Sequence, residues 1–291
     1  MSVLFPLLCI LGGLAVGRYR PTLRIVLARI LTNGLIPYVI VYNLLTYKTG
    51  TALLAGFSFI FCMLLFLLGR VFWKDKLAAL CFSYLNIGWL GLPLAVAIFG
   101  DSASRIIIAA YIGSSVFGNI ASVAALQPLA RWEVMAERTL LSPPVLAVLT
   151  GLGLRWLPFD LAAIDELGAV YVLAKYLMSI TGMSVLGIWL YSSSITLESV
   201  RAAVPTSLTR AIVGSAIVGL FVLTCHELGI ELVVSHALTL FILPLLPPAA
   251  NIVVLETHYR GTGTSARTIA SGTLVSLGLL SVFAIAVLLT S

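Results

Sequence analysis

The chain has 291 residues, 60% of them hydrophobic and only 10% charged, with a mean hydropathy of +1.12 and a formal net charge of +6. A soluble domain needs far more charge on its surface, so the composition excludes one and describes a polytopic membrane protein. At roughly 20 apolar residues per span plus a connection, the length allows about ten spans and no sizeable soluble domain.

The opening MSVLFPLLCILGGLAVG has no basic leading region and no small-residue cleavage site, so it reads as a first span, at about 2–17, rather than a cleaved signal. Apolar runs bounded by charge, Gly or Pro follow at about 27–46, 51–72, 77–99, 103–129, 141–158, 167–193, 205–225, 231–255 and 266–290. Cys9, Cys62, Cys81 and Cys225 are scattered through these runs without CxxC or Cys/His spacing. They read as buried small hydrophobes, not as a disulfide or metal framework.

The basic residues test the topology. The loops after the odd-numbered spans hold Arg18, Arg20, Arg24, Arg29, Arg70, Lys74, Lys76, Arg131, Arg138, Arg201, Arg210, Arg260 and Arg267. The opposite side holds Lys48, Arg105 and Arg155, and Lys175 falls within a span. The positive-inside rule then puts the odd-numbered loops in the cytoplasm and both termini outside. The net positive charge follows from topology and implies no nucleic-acid partner.

An internal repeat is legible. FPLLCILGGLAVGR (5–18) pairs with PPVLAVLTGLGLR (143–155), and SASRIIIA (102–109) pairs with TSARTIAS (264–271). NIGWLGLPLAVAIFG (86–100) pairs with ILPLLPPAANIVVLE (242–256), each match separated by five spans. The first repeat covers 1–129 (spans 1–5), a short cytoplasmic loop 130–140, and the second repeat 141–291 (spans 6–10). Because five is odd, the halves are inverted, as in many secondary transporters.

The paired fourth and ninth spans are both interrupted, by Gly91 and Pro93 in one and by Pro244, Pro247 and Pro248 in the other. Proline removes a donor and frees carbonyls upstream, and non-helical backbone at membrane depth survives only inside protein or beside a water-filled cavity. The half-helix after each break presents N–H groups and the positive end of its dipole, so two crossing breaks make an anion site at the midplane. Asn86 and Asn251 add amides beside it. The expected fold is all-α, with ten transmembrane helices in two inverted five-helix repeats and broken helices 4 and 9 crossing.

These segments resemble the auxin efflux carrier family. Asn86, Gly91, Pro93 and Leu94 match its fourth-span Asn-x6-Pro element, and LLPPAANIVVLETHYRG (245–261), ending near Tyr259, is similar to its ninth-span Pro-Pro-Ala motif. NGLIPYVIVYNLL (33–45), with Pro37 and Asn43, and MSVLGIWL (183–190), with Gly187, resemble its second and seventh spans and shape the scaffold side. The resemblance covers essentially the whole chain. It implies an elevator carrier of small organic anions, usually carboxylates, with spans 3–5 and 8–10 moving past a scaffold of spans 1, 2, 6 and 7. It also implies a homodimer, and a fold shared with bile-acid/sodium symporters. The plant carriers have a Gln where Pro248 stands and a long loop where this chain has only ARWEVMAERTLL, so auxin itself and regulation of that loop by phosphorylation are not expected.

The remaining charges bear on mechanism. No acid falls near the middle of a span; Asp101, Asp160, Asp165, Glu166, Glu227 and Glu231 lie outside, and Asp75, Glu133, Glu137, Glu198 and Glu256 inside. Glu256, about 12 Å beyond Pro248 at a helical rise of ~1.5 Å per residue, reads as a cytoplasmic rim residue. This favours uniport or weak coupling, with a sodium-coupled symporter of the bile-acid type as the alternative. Lys175 either snorkels to the outer interface or draws anions into a vestibule, and Asn43, Asn119 and Gln127 face either other helices or the cavity. His226, His236 and His258 share no helical face, so no metal or cofactor is expected. Without an aspartate inside a span, HExxH or Gly-x-Ser-x-Gly, an intramembrane enzyme is disfavoured.

Overall fold

A computed structural model describes residues 4–46, 52–100, 102–127, 132–155, 164–192 and 195–290. Lys48, Asp101, Arg131 and Asp160 lie outside the described residues, as do the side chains of Pro93 and Arg138. The protein is all-α. In chain order the helices are α1 (Leu4–Tyr19), α2 (Leu23–Ile30), α3 (Ile36–Leu45), α4 (Ala52–Phe72), α5 (Lys76–Ser83), α6 (Leu92–Phe99), α7 (Ser102–Leu126) and α8 (Trp132–Leu140). They continue with α9 (Pro143–Leu154), α10 (Asp165–Ser192), α11 (Leu197–Glu227), α12 (Glu231–Val234), α13 (Ala237–Leu240), α14 (Asn251–Arg260) and α15 (Ser265–Thr290).

Among the described residues, six helical runs are long and apolar enough to cross a membrane: Leu23–Leu45, Ala52–Phe72, Arg105–Leu126, Asp165–Ser192, Leu197–Glu227 and Ser265–Leu289. The helix α7 is the central one, with 72% of its most apolar stretch buried against 17% for α15. The outer faces of α11 and α15 carry exposed Ile212, Leu220, Leu223, Val282, Leu288 and Leu289, as helices facing lipid do.

Two π-helical turns have a common cause. Leu31–Leu35 runs directly into Ile36-Pro37, and Ile87–Gly91 into Leu92-Pro93. A proline cannot give an N–H to the carbonyl four residues back, and in both places the preceding N–H groups reach five residues back instead: Ile36 to Leu31, and Leu92 to Ile87.

The core has two parts. One gathers α2, α3, α9 and α10 around Leu31, Val39, Val148 and Val185 and takes in α14. The other gathers α4, α7 and α11 around Phe61, Phe82, Ile106 and Val218. The helix α1 lies along α10, where a Cβ on Gly187 would overlap the carbonyl oxygen of Ile10 and stand 2.9 Å from the Cα of Gly13. Only glycine permits that approach.

Within the stretch 130–140, Trp132–Leu140 is helical, as strong helix formers and an acid in the first turn, Glu133, favour. The helix α11 begins at Leu197, upstream of the apolar run that opens near Pro205, because a reciprocal Thr196–Ser199 capping box starts it there and the helix carries Pro205 inside it. Arg210, read as a cytoplasmic loop charge, is therefore enclosed within α11, with 1% of its surface exposed.

Candidate functional site

Two interruptions of helical backbone meet. The helix α5 starts under the Asp75 carboxylate, which accepts from the N–H groups of Leu77 and Ala78, and it stops at Ser83 because Tyr84 turns extended. In the second half, Leu246 is extended ahead of Pro247, as a residue before proline must be, and the chain regains helix only at Asn251. The two extended stretches pair antiparallel at Leu85 and Pro248. The N–H of Asn86 donates to the carbonyl of Pro247 at 2.9 Å, and the N–H of Ala249 donates to the carbonyl of Tyr84 at 2.8 Å. Backbone groups freed by each break are thus satisfied by the other, away from lipid.

The two asparagines hold equivalent positions. Asn86 immediately precedes the π turn Ile87–Gly91, and its carbonyl accepts from Gly91 at 3.0 Å; Asn251 is the first residue of α14. Both are buried. The Asn251 Nδ2 donates to the Tyr84 hydroxyl at 3.2 Å, while its Oδ1 is buried without a partner. Tyr84, Asn86, Gly88, Tyr111 and Asn251 line a void of about 10 Å³, room for about one water.

The other residues singled out from sequence fall as follows. Gly91 packs on Leu246, so that the π turn of one break touches the other break. Pro247 and Pro248 are buried at the pairing itself, and Pro248 also lies against Gly272 of α15. Pro244 is buried in a 3₁₀ turn against Gly214 of α11. Pro93 is the second residue of α6, downstream of the interruption at Tyr84–Asn86, and its backbone effect is the π turn described above. Pro37, Asn43 and Gly187 lie away from the pairing. Asn43 accepts from the Tyr171 hydroxyl at 2.7 Å, tying α3 to α10. Asn119 turns back to the Ser115 carbonyl of its own helix at 2.7 Å.

Lys175 stands over the Tyr171 ring, 5.3 Å from its centroid. It lines a small void with Gly88 and Tyr111, two residues that also border the asparagine void. The void that Lys175 lines therefore adjoins the one between the asparagines.

Sequence reasoning missed Tyr84, whose backbone pairs with Ala249 and whose hydroxyl receives Asn251. It also missed the capping role of Glu256. That carboxylate is fully buried and accepts five hydrogen bonds, from the Thr262, Thr264 and Ser265 hydroxyls and from the Thr264 and Ser265 N–H groups, at 2.5–2.9 Å. It caps the start of α15 from α14. The run GTGTS, with its hydroxyls just ahead of a helix, was the available signal. A scan against protein-family models finds no match for the chain, and a search of curated proteins finds none either.

Proposed function

We propose that this chain is a secondary transporter of small organic anions, built as ten spans in two inverted halves and resembling the auxin efflux carriers. The observation that carries the reading is the pairing of Leu85 with Pro248, which sets Asn86 and Asn251 at the starts of the two helical segments that follow the breaks. In this reading α5 with α6 is the fourth span, and α12 through α14 is the ninth. Amide side chains, helix N-termini and the nearby Lys175 give an anion a polar pocket without a formal countercharge at its centre.

The void between the asparagines is too small for a carboxylate, so substrate enters only when surrounding elements move apart. The resemblance implies an elevator division in which α1, α2, α3, α9 and α10 serve as scaffold and α4 through α7 and α11 through α15 carry the site; the packing of α1 along α10 and of α3 on α9 supports the scaffold grouping. A homodimer through the scaffold and external termini complete the proposal. A sodium-coupled symporter is the second reading, favoured by the unpartnered Oδ1 of Asn251, because amide and backbone carbonyl oxygens are ligands for hard cations.

Currents from proteoliposomes exposed to a panel of mono- and dicarboxylates, with and without a sodium gradient, test both readings. Sodium-independent current is expected for at least one carboxylate. Current only with sodium supports the symporter, and silence in both current and labelled uptake overturns the substrate class.

A further inference from the structure

A larger cavity, about 430 Å³, lies between α5, α11 and α15 on the far side of Pro248. Its size is that of a small-molecule pocket. Its lining includes the apolar residues Leu77, Cys81 and Ala203 and the hydroxyl-bearing residues Thr206, Ser207 and Thr268. Arg210, about midway along α11, is among the residues that line it.

The state of that arginine is unusual. It is 1% exposed, its Nε has no hydrogen-bond partner, and its Nη2 makes only a long contact to the Ser276 hydroxyl at 3.5 Å. Among the described residues the one ion pair joins His226 to Glu227, far along the helix, so no carboxylate neutralises Arg210. The acids nearest the cavity are committed elsewhere: Asp75 caps α5 and Glu256 caps α15. An isolated charge taken out of water is costly unless something pairs with it, and inside a membrane helix such a charge marks a functional site.

We propose that this cavity is a binding site for a monoanionic organic carboxylate, whose two oxygens pair with the Arg210 guanidinium while its apolar body lies against Leu77 and Cys81. A guanidinium fork matches a carboxylate in bidentate geometry. The charged residues lining the cavity are Arg210, Arg267 and Asp75, a net charge of +1, so the site suits one negative charge rather than the two of a phosphate monoester. This site is separate from the asparagine pair, and its test reads binding rather than transport, so it stands or falls independently of the transport reading.

The test is calorimetric titration of the purified full-length protein with benzoate, set beside inorganic phosphate. Saturable benzoate binding is expected, weakened about tenfold or more in Arg210→Gln and partly restored in Arg210→Lys. Without ligand, Arg210→Gln is expected to unfold at a higher temperature than the wild type, because an unpaired buried charge is gone. Ala202→Phe, which fills the cavity from its wall and leaves Arg210 untouched, supplies an independent loss of binding in a folded protein. Absent benzoate binding in the wild type, binding unchanged by both Arg210→Gln and Ala202→Phe, or phosphate binding in preference to benzoate would each overturn the proposal.

Discussion

The backbone N–H of Asn86 donates to the carbonyl of Pro247 at 2.9 Å, and that bond joins interruptions from opposite halves of the chain. Its neighbour on the side-chain level is the Asn251 Nδ2 to Tyr84 hydroxyl bond at 3.2 Å. A buried amide that loses its acceptor loses about 1 kcal/mol. Tyr84→Phe is therefore expected to lower the thermal midpoint by a few degrees in detergent and to reduce transport as Asn251 is freed. A double-mutant cycle with Asn251→Ala should show coupling; strict additivity of the two changes would contradict the contact.

Close packing of α1 on α10 makes a second expectation. Gly187→Val puts branched carbons into the backbone of Ile10 and Gly13, and overpacking of this kind costs about 1–3 kcal/mol. Gly153→Ala in α9, where an added Cβ meets nothing within 4 Å, is expected to be neutral or slightly stabilising. Thermal unfolding of both variants checks this, and equal behaviour of the two would contradict the helix contact.

Glu256 holds the start of α15. Glu256→Ala leaves two N–H groups and three hydroxyls without their shared acceptor, at an expected cost of about 2 kcal/mol or more. An unchanged unfolding midpoint would show that the carboxylate is not the cap.

Topology is open to a direct check at the two ends of α11. In a background with Cys9, Cys62, Cys81 and Cys225 replaced, Glu227→Cys is expected to react with an impermeant maleimide on intact cells. Arg201→Cys is expected to react only after permeabilisation. The reverse pattern would contradict the orientation read from the basic loops.

How far the sequence reached can be argued from these residues. Pro247 and Pro248 announce their break because a missing N–H and a fixed φ act locally, and Asn251 is found by standing beside them. The matching break at Tyr84 has no such local cause. Its extended backbone is stabilised by pairing with Ala249 and Pro247 across the molecule, which no local pattern encodes. Pro93 pointed to the right span and the wrong residue, since a proline just after a π turn is accommodated without leaving the helix. Arg210 falls five residues into the run read from 205, close enough to its edge to be counted with the cytoplasmic basic residues, whereas the capping box at Thr196 starts α11 well upstream. Glu256 depends on a turn, Gly261, whose positive φ of 69° brings the hydroxyls back over its carboxylate.

The most direct test of the central claim is labelled-carboxylate uptake into proteoliposomes holding equal amounts of wild-type protein and of Asn86→Ala, both confirmed folded and monodisperse. Uptake by the wild type that falls about tenfold or more in Asn86→Ala is the expected result, in line with loss of a buried substrate hydrogen bond. Equal uptake by the two proteins would contradict a substrate site at the paired breaks.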